Sequence, residues 1–115
     1  MNIEEYRDYC LSFTCVSESF PFNETVLVFK VLDKIFSLAD IESFNGINVK
    51  CNPEEVIELR ENYFGVTPAF HMSKKHWNTI AVDGSISDNL IKGWIKDSYC
   101  LVVSKMTKKK QAEIG

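Results

Sequence analysis

Apolar positions along this chain change their period several times, and each change marks an element. Ile3, Tyr6, Cys10 and Leu11, with Phe13 at the end, recur at the spacing of one helical face and predict a helix over residues 3–13. Asn2 stands at the cap position and Glu5 follows three residues on, the reciprocal pair that closes a helix start. From Val16 the period shortens. Residues 18–22 read as a short edge strand that ends around Pro21, because proline cannot donate to a ladder. Residues 25–32 and 35–39 are β-branched and aromatic runs, joined by Asp33-Lys34 as a two-residue hairpin loop. After an Asn45-Gly46 turn, Ile47, Val49 and Cys51 alternate with Asn48 and Lys50, which predicts a strand with one wet face.

Asn52-Pro53-Glu54-Glu55 starts the next helix, with a cap, a proline at the first position and acids in the first turn. It runs to about Tyr63, buries Val56, Leu59 and Tyr63, and stops at Gly65. Residues 66–72, broken by Pro68, make an irregular strand, and residues 77–82 make a regular one closed by Asp83-Gly84. These two segments flank Ser73-Lys74-Lys75, so they form a hairpin with the lysines at its tip. Ser87 caps a final long helix whose Leu90, Ile91, Trp94, Ile95, Tyr99, Val102 and Met106 face the core, and the chain frays from Lys108. Taken as a helix, about three strands, a helix, two strands and a helix, the order α-β-β-β-α-β-β-α predicts an α+β fold: two layers, an antiparallel sheet with helices mainly on one face. Trp77, Trp94, Phe29, Phe36 and Leu59 are expected to be largely buried.

Length and charge refine this picture. A chain of 115 residues suits one domain, residues 1–115. No run of about 18 apolar residues is present, which excludes a membrane-spanning helix. The start of the chain lacks a signal-peptide layout, and four cysteines scattered among apolar neighbours read as reduced thiols, so a cytoplasmic location is expected. The net charge of −3 hides an asymmetry. Residues 1–65 carry five Lys/Arg against twelve Asp/Glu, whereas residues 66–115 carry eight lysines against four acids. A basic second half leaves room for a local basic face.

The densest chemistry lies in His71-Met72-Ser73-Lys74-Lys75-His76-Trp77-Asn78-Thr79, which holds both histidines of the chain. Five residues separate them, a spacing that brings two imidazoles together on neither a helix nor a strand. No Cys-x-x-Cys or His-x-x-x-His spacing completes a metal set. A basic pair beside an aromatic and small polar residues suits phosphate contact and hydrogen bonding, with Trp77 anchoring the segment. An exposed basic turn entering a strand is the plainer reading of the same residues.

This stretch resembles the signature of the MmcQ/YjbR-like family of small bacterial proteins, roughly His-Met-Asn-Lys-Lys/Arg-His-Trp-Asn-Thr. Glu18-Ser19-Phe20-Pro21-Phe22 followed by Val28-Phe29-Lys30, Asn48-Val49-Lys50-Cys51 and Ser98-Tyr99-x-Leu101-Val102 agree with it, so the likeness spans nearly the whole chain. Ser73 stands where the family usually has Asn, and Asp33 where a hairpin glycine is common. The resemblance implies a two-layer fold similar in outline to frataxin and secretion chaperones. It also implies DNA binding by a double wing of protruding hairpins. Lys74 and Lys75 would then contact phosphates, while Ser73, His76, Asn78 and Thr79 hydrogen-bond. Three rival readings remain at this stage. One is a frataxin-like metal function through Glu4, Glu5, Asp8 and Glu18; another is a protein-interaction or chaperone-like module using the open sheet face. The third is catalysis by Cys51 or Cys100 beside His71. With no Gly-rich phosphate loop, no Gly-x-Ser-x-Gly elbow and no acid/base pair, the expectation is a binding module with no cofactor or metal, and not an enzyme.

Overall fold

Each change of period becomes an element in the computed structural model, which describes residues 1–69 and 72–115. The first helix, α1, spans Ile3–Leu11. The Asn2 side chain accepts the Glu5 amide at 2.8 Å, and the Glu5 carboxylate accepts the Asn2 amide at 3.3 Å. The helix stops two residues short of the expected end, where the Ser12 hydroxyl turns back to donate to the Tyr9 carbonyl at 2.5 Å. Phe13 thereby leaves the helix and stacks on Tyr99, with ring centroids 4.7 Å apart.

Four strands follow: β1 (Val16–Ser19), β2 (Val26–Val31), β3 (Lys34–Asp40) and β4 (Gly46–Lys50). The first starts and stops earlier than its sequence suggests, so Phe20 and Phe22 lie exposed in the β1–β2 connection. The two-residue loop between β2 and β3 is Leu32-Asp33, one position earlier than expected, with Val31 paired to Lys34. Both loop residues have positive φ, 44° and 70°, the twist that matches a hairpin of right-handed strands. Further along, Phe29 pairs with Ser37 while Lys30 pairs with Ile35, so Phe36 is an extra, bulged residue. The bulge turns both Phe36 and Ser37 toward the helices. Ser37 is fully buried there, 2.7 Å from the Tyr6 hydroxyl and donating to the Asn48 carbonyl at 2.9 Å.

Helix α2 (Pro53–Asn62), strands β5 (Val66–Pro68) and β6 (Trp77–Ala81), and helices α3 (Asp88–Ser104) and α4 (Lys108–Ile114) complete the chain. The six strands form one antiparallel sheet in the order β1-β2-β3-β4-β6-β5. The second layer is helical. Tyr6 and Cys10 of α1, Val56 of α2 and Ile91, Ile95, Tyr99 and Val102 of α3 pack on Phe29, Phe36, Ile47, Val49 and Ile80 of the sheet. Three expectations need correction. Leu90 is 38% exposed rather than buried, and Trp94 and Leu59 are only half-buried at the rim of the core. Trp94 meets Tyr63 edge-on there, at 4.9 Å. The end of the chain does not fray: Thr107 caps α4 by accepting the Lys110 amide, and Ile114 packs back on the core. Among the described residues no helix is long and apolar enough to cross a membrane.

The other sheet face carries a smaller apolar cluster, Val28, Leu38, Ala69 and Trp77, flanked by Val26, Ile35 and Met72. Ala69 and Met72 thus lie against the face that a bare two-layer fold would leave open.

Candidate nucleic-acid interface

Alternation along β6 decides the fate of each signature residue. Asn78 pairs with Val49 and Ile80 with Ile47, so both point to the helical layer, while Trp77 and Thr79 point to the other face. Trp77, 9% exposed, packs on the smaller cluster as the expected anchor. Thr79 is half-buried and donates to the Asn48 side chain at 2.5 Å. Asn78 is not on the surface, which corrects its assignment as a ligand-facing group. It is fully buried, donates to the Val56 carbonyl at 3.2 Å and accepts from Arg60 Nε at 2.7 Å.

The turn before β6 is held from both sides. The Ser73 carbonyl accepts the amides of His76 at 3.1 Å and Trp77 at 3.0 Å. The His76 carbonyl accepts the Cys51 amide at 2.7 Å, tying the turn to the end of β4. From the helical side, Arg60 Nη2 reaches the carbonyls of Lys74 and, at 3.3 Å, Trp77. Ser73, Lys74 and Lys75 are exposed and His76 is half-buried. Neither lysine belongs to the two ion pairs found among the described residues. With its backbone fixed and its side chains free, this turn can present two ammonium groups to an anionic surface. His71, the first residue of the signature, lies outside the described residues.

Arg60 escaped the sequence reading. Its signal was present, since it is the single basic residue of α2 among Glu54, Glu55, Glu58 and Glu61. A cation at a helix C-terminus is expected from the dipole alone, however, so nothing marked it as a clamp.

The strand registers also place charge. Lys34 opens β3, Lys50 closes β4 and Trp77 opens β6, so all three stand at one end of the sheet, beside the Lys74-Lys75 turn. Asp40, Glu42 and Asp83 belong to the other end, where β3 closes and β6 leaves the sheet.

The rival sites fare differently. Of the four carboxylates of the metal reading, Glu5 closes the α1 cap and Glu18 is held by Arg7 at 2.6 and 2.7 Å. Among the described residues no group of three or more His, Cys, Asp or Glu side chains could hold a metal ion. Cys51 is buried, and burial pushes its thiol up to about 11, which keeps it protonated and a poor nucleophile at neutral pH. Cys100 is exposed.

An open antiparallel sheet, helices on one face, and a signature turn clamped at one end of the sheet define a small α+β protein of one recognisable architecture. The YjbR family pattern matches residues 11–101, and the chain belongs to that family. It is 31% identical to uncharacterized protein YbdF of Escherichia coli O157:H7, over 96% of this chain and 92% of that one. Uncharacterized protein YjbR of Escherichia coli K12 is 29% identical over 96% and 95%. Among solved structures, a Deinococcus radiodurans protein with the DUF419 domain superposes with a TM-score of 0.92 at 34% identity, covering 99% of this chain and 88% of that one. A Pseudomonas syringae protein superposes with a TM-score of 0.75 at 29% identity, over 88% and 98%.

Proposed function

We propose that this protein is a cytoplasmic nucleic-acid-binding module, with DNA as its partner, and not an enzyme. The observation that carries the reading is the exposed Lys74-Lys75 pair on a backbone pinned by Arg60, Cys51 and the buried Trp77. A rigid platform lowers the ordering cost of each phosphate contact, and two lysines supply charge without base specificity. Lys74 and Lys75 contact phosphates, and Ser73 and His76 hydrogen-bond beside them. Thr79 orients Asn48 instead of meeting the ligand. The exposed Phe20 and Phe22 belong to the connection at the opposite end of the sheet, where β1 closes and β2 opens.

Salt-titrated binding to duplex and single-stranded DNA tests this. Changing Lys74 and Lys75 to Glu abolishes binding while folding stability moves by under about 1 kcal/mol, as expected for exposed positions. The milder double alanine variant flattens the salt slope by about two units, one for each phosphate that is no longer neutralised. Wild-type protein that binds no better than the double glutamate variant at low salt overturns the reading.

A further inference from the structure

Apart from the signature turn, four more lysines converge where α3 hands over to α4. Lys34 at the start of β3, Lys50 at the end of β4, Lys105 at the C-terminus of α3 and Lys110 in the first turn of α4 line a cavity of about 380 Å³. Its remaining walls are Val102, Met106 and Thr107, and no carboxylate lines it. None of the four belongs to either ion pair found among the described residues. Gathering like charges around one hollow opposes folding unless a counter-charge enters it.

We propose that this cavity is a binding site for an oligophosphate, free or carried as the phosphate chain of a nucleoside polyphosphate. Each ammonium group offers three donors and no acceptor, so the walls suit a ligand made of acceptors. Four positive charges match the three to four negative charges of a triphosphate far better than those of a single phosphate. The volume falls in the range of small-molecule sites, about 300–1,000 Å³. Val102 is buried and Met106 half-buried, and they give the hollow an apolar wall that a ring or sugar can cover. The site is concave and lined by α3, α4 and the adjoining ends of β3 and β4, whereas the Lys74-Lys75 turn precedes β6 and is clamped by α2. It stands independently of the DNA reading.

Isothermal titration at low salt with inorganic tripolyphosphate and, separately, with ATP tests the proposal on the whole chain. Saturable one-to-one binding is expected, weakened at least tenfold in Lys105→Gln/Lys110→Gln. Lys34→Gln, on the sheet and outside α4, must weaken it as well, which guards against a trivial loss of the last helix. At about 0.15 M salt, where charges beyond roughly 8 Å are screened, Lys74→Gln/Lys75→Gln must weaken it less than either cavity variant, because the turn stands beside the cavity and is not part of its lining. ATP binding more tightly than tripolyphosphate assigns the natural ligand to the nucleoside class; equal affinities assign it to the free oligophosphate. Duplex DNA that competes with tripolyphosphate in the Lys74→Glu/Lys75→Glu variant would instead make the cavity part of a DNA footprint, and overturns a small-molecule site. Absence of saturable binding, or equal losses in the turn and cavity variants, also overturns it.

Discussion

Trp77 and Asn78 are neighbours in sequence and serve opposite sides of the sheet. Trp77 closes the smaller apolar cluster, and Trp77→Ala should destabilise the fold by about 3–5 kcal/mol in chemical denaturation, as large aromatic truncations do. Asn78 depends on Arg60 for one of its buried hydrogen bonds. Arg60→Ala leaves that oxygen without its donor, at a cost of about 1–3 kcal/mol. Arg60→Lys restores little of it, since an ammonium lacks the fork that reaches Asn78 and two carbonyls together. A Lys variant as stable as the parent would show that charge alone holds the turn. The sequence made Trp77 legible as an anchor but misplaced Asn78. Strict alternation says that Trp77 and Asn78 face opposite ways, yet with both faces of β6 covered it cannot say which face is wet.

At the scale of elements, the three caps at Asn2, Asn52 and Ser87 and the β2–β3 hairpin were readable from capping and turn chemistry, while boundaries moved by one to four residues. The bulge at Phe36 was not readable, because consecutive apolar residues in a strand look the same whether bulged or regular. The hairpin loop holds Asp33 at φ 70°, a region that costs a residue with a Cβ. Asp33→Gly should therefore stabilise the protein by about 0.5–1 kcal/mol, seen as a raised melting temperature. A lower melting temperature would mean that Asp33 contributes something its backbone does not show. At the other end, Thr107→Ala removes the cap of α4 and should cost about 0.5–2 kcal/mol, with exchange protection lost first in residues 108–114.

For the whole molecule, the layer arrangement followed from the order of elements, but the strand order did not. Sequence neighbours β5 and β6 pair as expected; that β6 sits beside β4 and leaves β5 at the edge depends on pairings distant in sequence. The charge asymmetry between the halves was legible, whereas the placing of Lys34 and Lys50, both from the acidic first half, beside the turn depends on the strand registers. Buried acids of another kind set the pH response. Burial raises the Cys51 thiol to about 11, and the Cys10 thiol and Tyr6 phenol are pushed up for the same reason. Their neutral forms are favoured in the folded state, so the unfolded chain loses those protons first as pH rises. From about pH 7 stability should stay level to about pH 8.5 and fall as pH climbs through 9 to 11. Denaturant titrations across that range check it, and Cys51→Ala should show a shallower decline.

The two tryptophans lie on opposite sides of one sheet, Trp77 beneath the signature turn and Trp94 against Tyr63 at the helical rim. Nature has thereby supplied two fluorophores that see different environments. In Trp94→Phe, emission comes from Trp77 alone and should shift when the neighbouring turn meets DNA. In Trp77→Phe, emission comes from Trp94, and the same titration should leave it nearly constant. Each layer thus carries its own optical reporter, without an added label.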